Sequence, residues 1–205
     1  MCGIAGFINY PEGDIKKAQK FLFHRGPDAQ TSYSYKNVNL VHTRLSIQDI
    51  VCGAQPFIIE NFIIIFNGEI YNHLDLRDKV ASYTFQTQSD TETFLALYIE
   101  YGINAFSMCD GMFAFAILDT KSNKLILGRD RAGKKPLYYF KEADSMVFAS
   151  ELNTLSSCVN KLRVNEKEIY SYIRNGFFCN AKTPFKDVYE VSPGSILTVT
   201  LNDLK

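Results

Sequence analysis

The second residue of the chain is a cysteine, inside the opening sequence MCGIAG. If Met1 is removed, Cys2 carries a thiol and a free α-amino group on the same residue. An α-amine has an ordinary pKa of about 7.7–8, so near neutral pH much of it can accept a proton. A thiol attacks as the thiolate and has an ordinary pKa of only about 8.5. One residue would then supply both a nucleophile and its base; the alternative is a cysteine that merely falls second.

Two further motifs each have a chemical and a structural interpretation. Arg44, in the segment RLSI, ends a predicted strand. Its guanidinium could bind a carboxylate through two parallel hydrogen bonds, or pair with Asp49 at the surface. The segment HRGPD at residues 24–28 is typical of a helix end, with basic residues, a glycine and a proline. Neither motif decides the function alone.

Asn67 and Gly68 follow a buried apolar strand predicted at residues 62–66. Asn-Gly is the strongest signal of a two-residue hairpin turn, but a helix rather than a returning strand is predicted at residues 72–79. A strand end that presents an amide side chain and an unhindered glycine N–H suits the stabilisation of an oxyanion. Asp90, in the first turn of a predicted helix, either interacts with the helix dipole or holds an ammonium group.

The composition argues against several classes of protein. Lys plus Arg equals Asp plus Glu at 22 each, so no bulk charge points to nucleic acid or to a membrane surface. The longest apolar run, FIIIF at residues 62–66, is far too short to span a bilayer. Five cysteines without metal-type spacing and three scattered histidines favour free thiols and no metal site. We therefore expect a cytoplasmic protein that binds a small substrate.

The elements that would position these residues are mostly strands joined by short turns. Apolar patterning predicts strands at residues 3–9, 38–45, 57–66, 112–118, 124–127, 137–140, 146–149 and 195–201. Helices are predicted at residues 14–22 and 72–79, from the capping box SDTE to Gly102, and around residues 168–173. Strands that meet through short turns favour an α+β fold of antiparallel sheets packed with helices.

Eight segments of the chain together carry a family resemblance. In order they are MCGIAG, HRGPD, RLSI, NGEIYNH, SDTE, GMFAFA, GRDRAGKKPLYY and FASEL. They resemble the glutaminase domain of the class II (N-terminal nucleophile) glutamine amidotransferases, and HRGPD and NGEIYNH are similar to the asparagine synthetase branch. The likeness runs from Cys2 to about Gly194. It implies a four-layer αββα sandwich of the Ntn-hydrolase type, with residues 1–205 forming one glutaminase domain.

The resemblance also implies roles for particular residues. Cys2 would attack the carboxamide of L-glutamine and form a thioester, while Asn67 and Gly68 would form the oxyanion hole. The implied glutamine-binding residues are Arg44, Leu45, Ser46, Ile47, Gln48, Asn67, Gly68, Glu69 and Asp90. Among these, Arg44 would hold the α-carboxylate, and Glu69 and Asp90 the α-ammonium group. Residues 53–56 resemble a mobile loop that closes over glutamine, and Gln88 stands where the family often has glycine.

The resemblance implies a partner as well. Family members pass ammonia to a synthetase domain marked by a Ser-Gly-Gly-x-Asp-Ser loop, and no such segment occurs in this sequence. We therefore expect a synthetase domain or subunit to follow Lys205, and ATP and magnesium to belong there, with no cofactor in this domain. Residues 128–131 with Lys134 and Lys135 are interpreted as a structural loop facing that partner. Aspartate is the default ammonia acceptor, although other carboxylates stay open, as does a homodimer.

Two rival functions stay open on the sequence alone. If Met1 is retained, the α-amine of Cys2 is blocked, and the chain would be a glutamine-binding or interaction module without turnover. Alternatively, the nucleophile could hydrolyse another amide, although a substrate without an α-carboxylate would leave Arg44 unused.

Overall fold

The computed structural model describes residues 1–160 and 162–201, in which two antiparallel sheets pack face to face between two helical layers. The strands are β1 (Gly3–Ile8), β2 (Ala29–Tyr35), β3 (Val38–Arg44), β4 (Phe57–Ile59), β5 (Phe62–Ile70), β6 (Gly111–Asp119), β7 (Lys124–Arg129), β8 (Tyr138–Glu142), β9 (Ser145–Ala149), β10 (Val188–Glu190) and β11 (Ile196–Thr200). The helices are α1 (Ile15–Leu22), α2 (His73–Arg77), α3 (Asp90–Tyr101), α4 (Ala105–Met108), α5 (Leu152–Cys158) and α6 (Glu166–Asn175). The predicted αββα sandwich is confirmed.

The strand order of the two sheets is β10-β8-β9-β1-β3-β2 and β11-β7-β6-β5-β4. Side chains alternate between the faces of a strand, and β5 shows how this builds the layers. Ile63 and Ile65 belong to the core between the sheets, whereas Ile64 and Phe66 pack with α3 and α4 on the outer face. On the other sheet, α1 and α5 cover the outer face. The apolar runs are thus buried on both faces.

Strand pairing brings the chemical motifs to one end of the sandwich. In the six-stranded sheet, β1 is a central strand and pairs with β3, so that Gly3 lies opposite Thr43 and Cys2 lies beside the end of β3. In the other sheet, β5 continues through Asn67 and Gly68 as far as Ile70 because β6 pairs with it along its whole length. The prediction that this strand ends before Asn67 is therefore wrong.

The predicted capping box at the start of α3 forms only in part. The Ser89 side chain accepts a hydrogen bond from Thr91 N–H at 3.2 Å, as an N-cap should. Glu92 instead accepts hydrogen bonds from Gln86 N–H and Thr87 N–H, each at 2.8 Å. The segment before the helix folds back over Glu92 and occupies the carboxylate that would have bonded to Ser89 N–H.

Four elements were not predicted from the sequence: β2, α4, α5 and β10. The sequence of β2, AQTSYSY, is largely polar, and the strand lies at a sheet edge, where four of its seven residues are partly covered and three are exposed. It therefore lacks the apolar signal of an inner strand. No helix within residues 1–160 and 162–201 is long and apolar enough to cross a membrane. The predicted domain end at Lys205 lies outside the described residues.

Candidate active site

The residues at this end of the two sheets surround a cavity of about 120 Å³. It is bordered by the chain start, the end of β3, the middle of β5 and the beginning of α3. Nine of the ten predicted site residues line it: Cys2, Arg44, Leu45, Ile47, Gln48, Asn67, Gly68, Glu69 and Asp90. The fold thus brings together residues that lie up to 88 positions apart in the chain, from Cys2 to Asp90.

Ser46 is the predicted site residue that the structure places outside the cavity lining. Leu45 N–H donates to Cys2 Sγ at 3.4 Å, so Leu45 faces the thiol. The next N–H along the chain, that of Ser46, points away and donates to Asp28 Oδ2 at 2.7 Å. Gln88, which stands where the family often has glycine, also lies outside the lining.

The HRGPD segment does more than end a helix. Arg25 Nε donates to the Cys2 carbonyl oxygen at 3.0 Å, and Arg25 Nη1 donates to Glu151 Oε1 at 2.9 Å. Both Arg25 and the following Gly26 are buried, and a Cβ at Gly26 would overlap the Thr43 backbone. Arg25 therefore anchors the backbone of the candidate nucleophile, and Gly26 allows the segment to pack directly against the backbone of β3.

Burial is the main cause of the shifted pKa values of the two ionisable groups at the start of the chain, the Cys2 thiol and the Met1 α-amine. It raises the pKa of the Cys2 thiol, against the opposing effects of the Leu45 hydrogen bond and the nearby N-terminal amine and Arg44. Burial also lowers the pKa of the Met1 α-amine, and the positive charges of Arg25 and Lys135 lower it further. A buried thiol that resists ionisation needs a nearby base to act at neutral pH.

The open edge of β5 presents a backbone donor to the cavity. The neighbouring strand β4 pairs with β5 only as far as Ile64. Beyond it, Phe66 N–H donates to Gln55 Oε1 at 2.6 Å and Ile70 N–H donates to Asp90 Oδ2 at 2.9 Å. Backbone N–H groups alternate between the two edges of a strand, so Gly68 N–H points to this same edge. The side chains of Gln55 and Asp90 thus accept hydrogen bonds from the strand on either side of the Gly68 N–H.

Asn67 is completely buried, yet neither its Nδ2 nor its Oδ1 has a hydrogen-bond partner within the part of the chain that the structure describes. A buried polar group without a partner costs about 1–3 kcal/mol. Because Asn67 lines the cavity, this amide is available to a ligand there. At the adjacent Gly68, a Cβ would overlap the Met112 carbonyl of β6, so only glycine fits.

Arg44 is buried and holds the loop beside it. Its guanidinium donates to the carbonyl oxygens of residues 48–50 at distances between 2.7 and 3.3 Å. The alternative surface pair with the Asp49 carboxylate does not form, because that carboxylate accepts hydrogen bonds from Cys52 N–H at 2.9 Å and Gln88 N–H at 2.7 Å. Across the described residues Arg44 has no ion pair, so its positive charge remains available to an anion in the cavity.

Two acidic side chains line the cavity with Arg44. Burial raises the pKa of Asp90 to about 6, although hydrogen bonds from Ile70 N–H and Thr91 N–H oppose the shift. The negative charge of Glu69 adds to the increase. The cavity therefore contains the Arg44 guanidinium, two carboxyl groups, a thiol and amide donors, and these include the groups that a zwitterionic amide requires.

Sequence reasoning missed two residues that shape this site. Gln55 was predicted to lie on a mobile loop, but its side chain is buried, and besides accepting from Phe66 N–H it donates from Nε2 to Thr91 Oγ1 at 3.2 Å. Lys135 was interpreted as part of a loop facing a partner, but it is buried and lines the cavity, while Lys134 is exposed. The sequence did contain a signal for the burial of Lys135, because the apolar segment that leads into β8 begins two residues later, at Leu137.

Comparison with solved structures identifies the fold. Two solved structures share the sandwich and show the fold alone, because their sequence identity is low. One is the allosteric regulatory enzyme of purine biosynthesis, with a TM-score of 0.68 and 20% identity over 97% of this chain and 47% of that chain. The other is glutamine phosphoribosylpyrophosphate amidotransferase from B. subtilis, with a TM-score of 0.63 and 19% identity over 98% and 49%. Both share the two-sheet sandwich of this chain.

The model of a protein family described as "Glutamine amidotransferase domain" matches residues 1–205, and the chain belongs to this family. Similar relatives are asparagine synthetases. The chain is 38% identical to asparagine synthetase (glutamine-hydrolyzing) 1 of Bacillus subtilis (strain 168), over 97% of this chain and 33% of the relative. It is 40% identical to asparagine synthetase (glutamine-hydrolyzing) 2 of Oryza sativa subsp. japonica, over 76% and 28%. The chain thus spans about a third of the length of the curated relatives it matches.

Proposed function

We propose that this chain hydrolyses L-glutamine to glutamate and ammonia through a thioester on Cys2, after Met1 has been removed. The observation that carries the proposal is the Asn67 amide, which is fully buried, has no hydrogen-bond partner among the residues that the structure describes, and lines the same cavity as the Cys2 thiol. A buried amide without a hydrogen-bond partner in the ligand-free protein is expected where a ligand or transition state supplies that partner.

The proposed reaction begins when the free α-amine of Cys2 takes the proton of the thiol. The thiolate attacks the carboxamide carbon, and the resulting oxyanion accepts hydrogen bonds from Asn67 Nδ2 and Gly68 N–H. As this intermediate collapses, the ammonium group of Cys2 returns its proton to the leaving nitrogen, and ammonia departs. Water then attacks the thioester carbonyl, again through an oxyanion, releasing glutamate and restoring the Cys2 thiol.

The other end of glutamine is bound by charge. Arg44 would hold the α-carboxylate, while Asp90 and Glu69 would hold the α-ammonium group. This assignment is supported by the cavity lining, in which these three side chains lie together. It also disfavours an amide substrate without an α-carboxylate, because such a substrate would leave the buried Arg44 charge unbalanced.

The ammonia would serve an ATP-dependent amidation by a synthetase domain or subunit, as the names of the relatives suggest for the longer proteins. That partner, rather than this domain, would hold ATP and magnesium. Aspartate is the default acceptor, and another carboxylate is the alternative. A cytoplasmic location is supported by the five cysteines, all of which are free thiols.

The proposal is tested by comparing two forms of the protein. One begins at Cys2, and the other retains Met1 by an N-terminal extension that blocks its removal; intact mass verifies both. Only the form that begins at Cys2 should release ammonia and glutamate from glutamine, and hydroxylamine should trap its thioester as glutamyl hydroxamate. Equal ammonia release by both forms would refute the role of the α-amine, and no release by either would refute the proposed function.

Asp90 gives the site a predicted pH dependence. Since its pKa is about 6, the carboxyl group is mostly ionised at pH 7 and mostly protonated at pH 5. Losing this negative charge should weaken glutamine binding by about tenfold between pH 7 and pH 5. Calorimetric titration of glutamine into a Cys2→Ala variant measures this without interference from the reaction.

The Asp90→Asn variant is the control for this pH dependence. It should bind glutamine weakly at pH 7 and show little further loss at pH 5. If its binding instead weakens with falling pH as steeply as that of the parent protein, another group carries the titration.

A further inference from the structure

Lys135 is a buried cation that the proposed reaction does not use. It lies between β7 and β8, is 5% exposed, and lines the cavity that contains the Cys2 thiol. Its Nζ donates to Met1 Sδ at 3.0 Å. In residues 1–160 and 162–201, no carboxylate oxygen lies within 4.0 Å of this ammonium group. Buried lysines are rare unless paired, so its position calls for an explanation.

The backbone around Lys135 is rigidly held. Asp130 Oδ2 accepts hydrogen bonds from Lys135 N–H at 3.0 Å and from Phe113 N–H at 3.2 Å, and its Oδ1 accepts from Lys134 N–H at 2.9 Å. Arg129 Nε donates to the Lys135 carbonyl oxygen at 2.6 Å. The Asp130 carboxylate is therefore occupied by backbone donors, and the lysine side chain extends from an anchored segment toward the chain start.

Removal of Met1 changes what Lys135 faces. The sulfur that accepts its hydrogen bond is lost, and a new α-amine appears on Cys2 in the same region. Arg25 already lies beside that residue, since its Nε donates to the Cys2 carbonyl oxygen at 3.0 Å. The new α-amine would then have a guanidinium on one side and an ammonium group on the other.

We propose that Lys135 is a positioning residue that, together with Arg25, keeps the α-amine of Cys2 unprotonated and able to accept the thiol proton. This inference rests on the proposed function. Nearby positive charge disfavours protonation of an amine. In the structure the same two charges already contribute to the lowered pKa of the Met1 α-amine.

The acidic groups around the site oppose this effect only in part. Asp28 accepts the Ser46 N–H at 2.7 Å, and Glu151 is paired with Arg25 at 2.9 Å. Asp130 is bonded to backbone donors, as described above. Glu69 lines the cavity and has no ion pair within residues 1–160 and 162–201, but in the proposed complex it faces the ammonium group of glutamine. Asp90 also lines the cavity, and the Cys2 thiolate is a further negative charge beside the amine. Glu151 partly balances the charge of Arg25, whereas Lys135 has no carboxylate oxygen within 4.0 Å in residues 1–160 and 162–201, so the charge of Lys135 is the less compensated of the two.

Variants of the form that begins at Cys2 test the inference. Lys135→Met removes the charge from a side chain of similar length, Lys135→Arg retains it, and Lys134→Met removes a charge from the exposed neighbour as a matched control. The pKa of the α-amine is measured by NMR titration of protein labelled with ¹⁵N-cysteine, and kcat/KM for glutamine is measured from pH 5.5 to 9.

In Lys135→Met, the α-amine pKa should rise by about one unit, as expected for the loss of one charge several ångströms away. The acid limb of kcat/KM should move by the same amount, giving a loss of about tenfold at low pH and little change near pH 9. Lys135→Arg and Lys134→Met should titrate like the parent protein.

Other outcomes would overturn the inference. An unchanged α-amine pKa in a Lys135→Met protein that melts normally would do so, as would a loss of activity that is equal at every pH. If Lys135→Met fails to fold, Lys135→Gln takes its place under the same criteria. Because the NMR titration needs no turnover, a shifted amine pKa in a protein that releases no ammonia would support Lys135 and reject the proposed function separately.

Discussion

Replacement of Cys2 by alanine is expected to lower the rate of ammonia release from glutamine by at least about 10⁴-fold, to near the background rate. The reason is that the variant retains the α-amine, the oxyanion donors and the substrate-binding charges but has no atom that can attack the carboxamide. The fold should be unaffected, because the thiol contributes only weak hydrogen bonds with Leu45, at 3.4 and 3.7 Å.

This expectation is checked with the form that begins at residue 2, using an ammonia assay and a thermal melt. Cys52→Ala is the matched control, since Cys52 is an exposed free thiol near the cavity, and it should retain full activity. Glutamine hydrolysis by Cys2→Ala at a rate close to that of the parent would show that Cys2 is not the nucleophile.

Replacement of Asn67 by leucine is expected to lower kcat by about 10²–10³-fold while changing KM for glutamine much less. The amide would bind the oxyanion that develops during the reaction, so its loss affects the transition state more than the bound substrate. The same change should leave the melting temperature unchanged or raise it. An apolar side chain of similar size replaces an amide that has no hydrogen-bond partner among residues 1–160 and 162–201.

For Asn67→Leu we expect kcat to fall while the melting temperature stays the same or rises, and this combination distinguishes a catalytic role from a structural one. Steady-state kinetics give kcat and KM, and calorimetry gives the melting temperature of the same preparation. A structural role for Asn67 would instead lower stability and activity together. An unchanged kcat with normal folding would remove Asn67 from the oxyanion site.

The sequence was sufficient to predict the architecture and most of the cavity lining. Strands such as β5 and the β6–β7 pair are buried on at least one face, so their apolar patterns are strong. Cys2, Arg44 and Asp90 were selected because they stand in motifs that resemble a family, since on the residues alone each also had a structural interpretation. The roles of these residues stay predictions.

Prediction from the sequence was wrong where a local signal competes with contacts made by another segment of the chain. The Asn67-Gly68 pair has the local signature of a turn, but it lies inside β5 because β6 continues to pair with that strand. The capping box of α3 was predicted from spacing alone, yet Glu92 is taken by the preceding loop. In both cases, contacts with another segment outweigh the local preference.

By itself, then, the sequence indicated antiparallel sheets packed with helices and the identity of the candidate nucleophile, because these depend on local patterning and on residue type, while the resemblance of its motifs to a family implied the sandwich. Only the tertiary structure decided that Asn67 is buried without a partner, that Gln55 holds the open edge of β5, and that Lys135 lies in the same cavity as Cys2. These features arise between segments far apart in the chain, such as the 134 positions that separate Lys135 from Met1. Their energies come from burial and charge in three dimensions, which no local pattern of residues records.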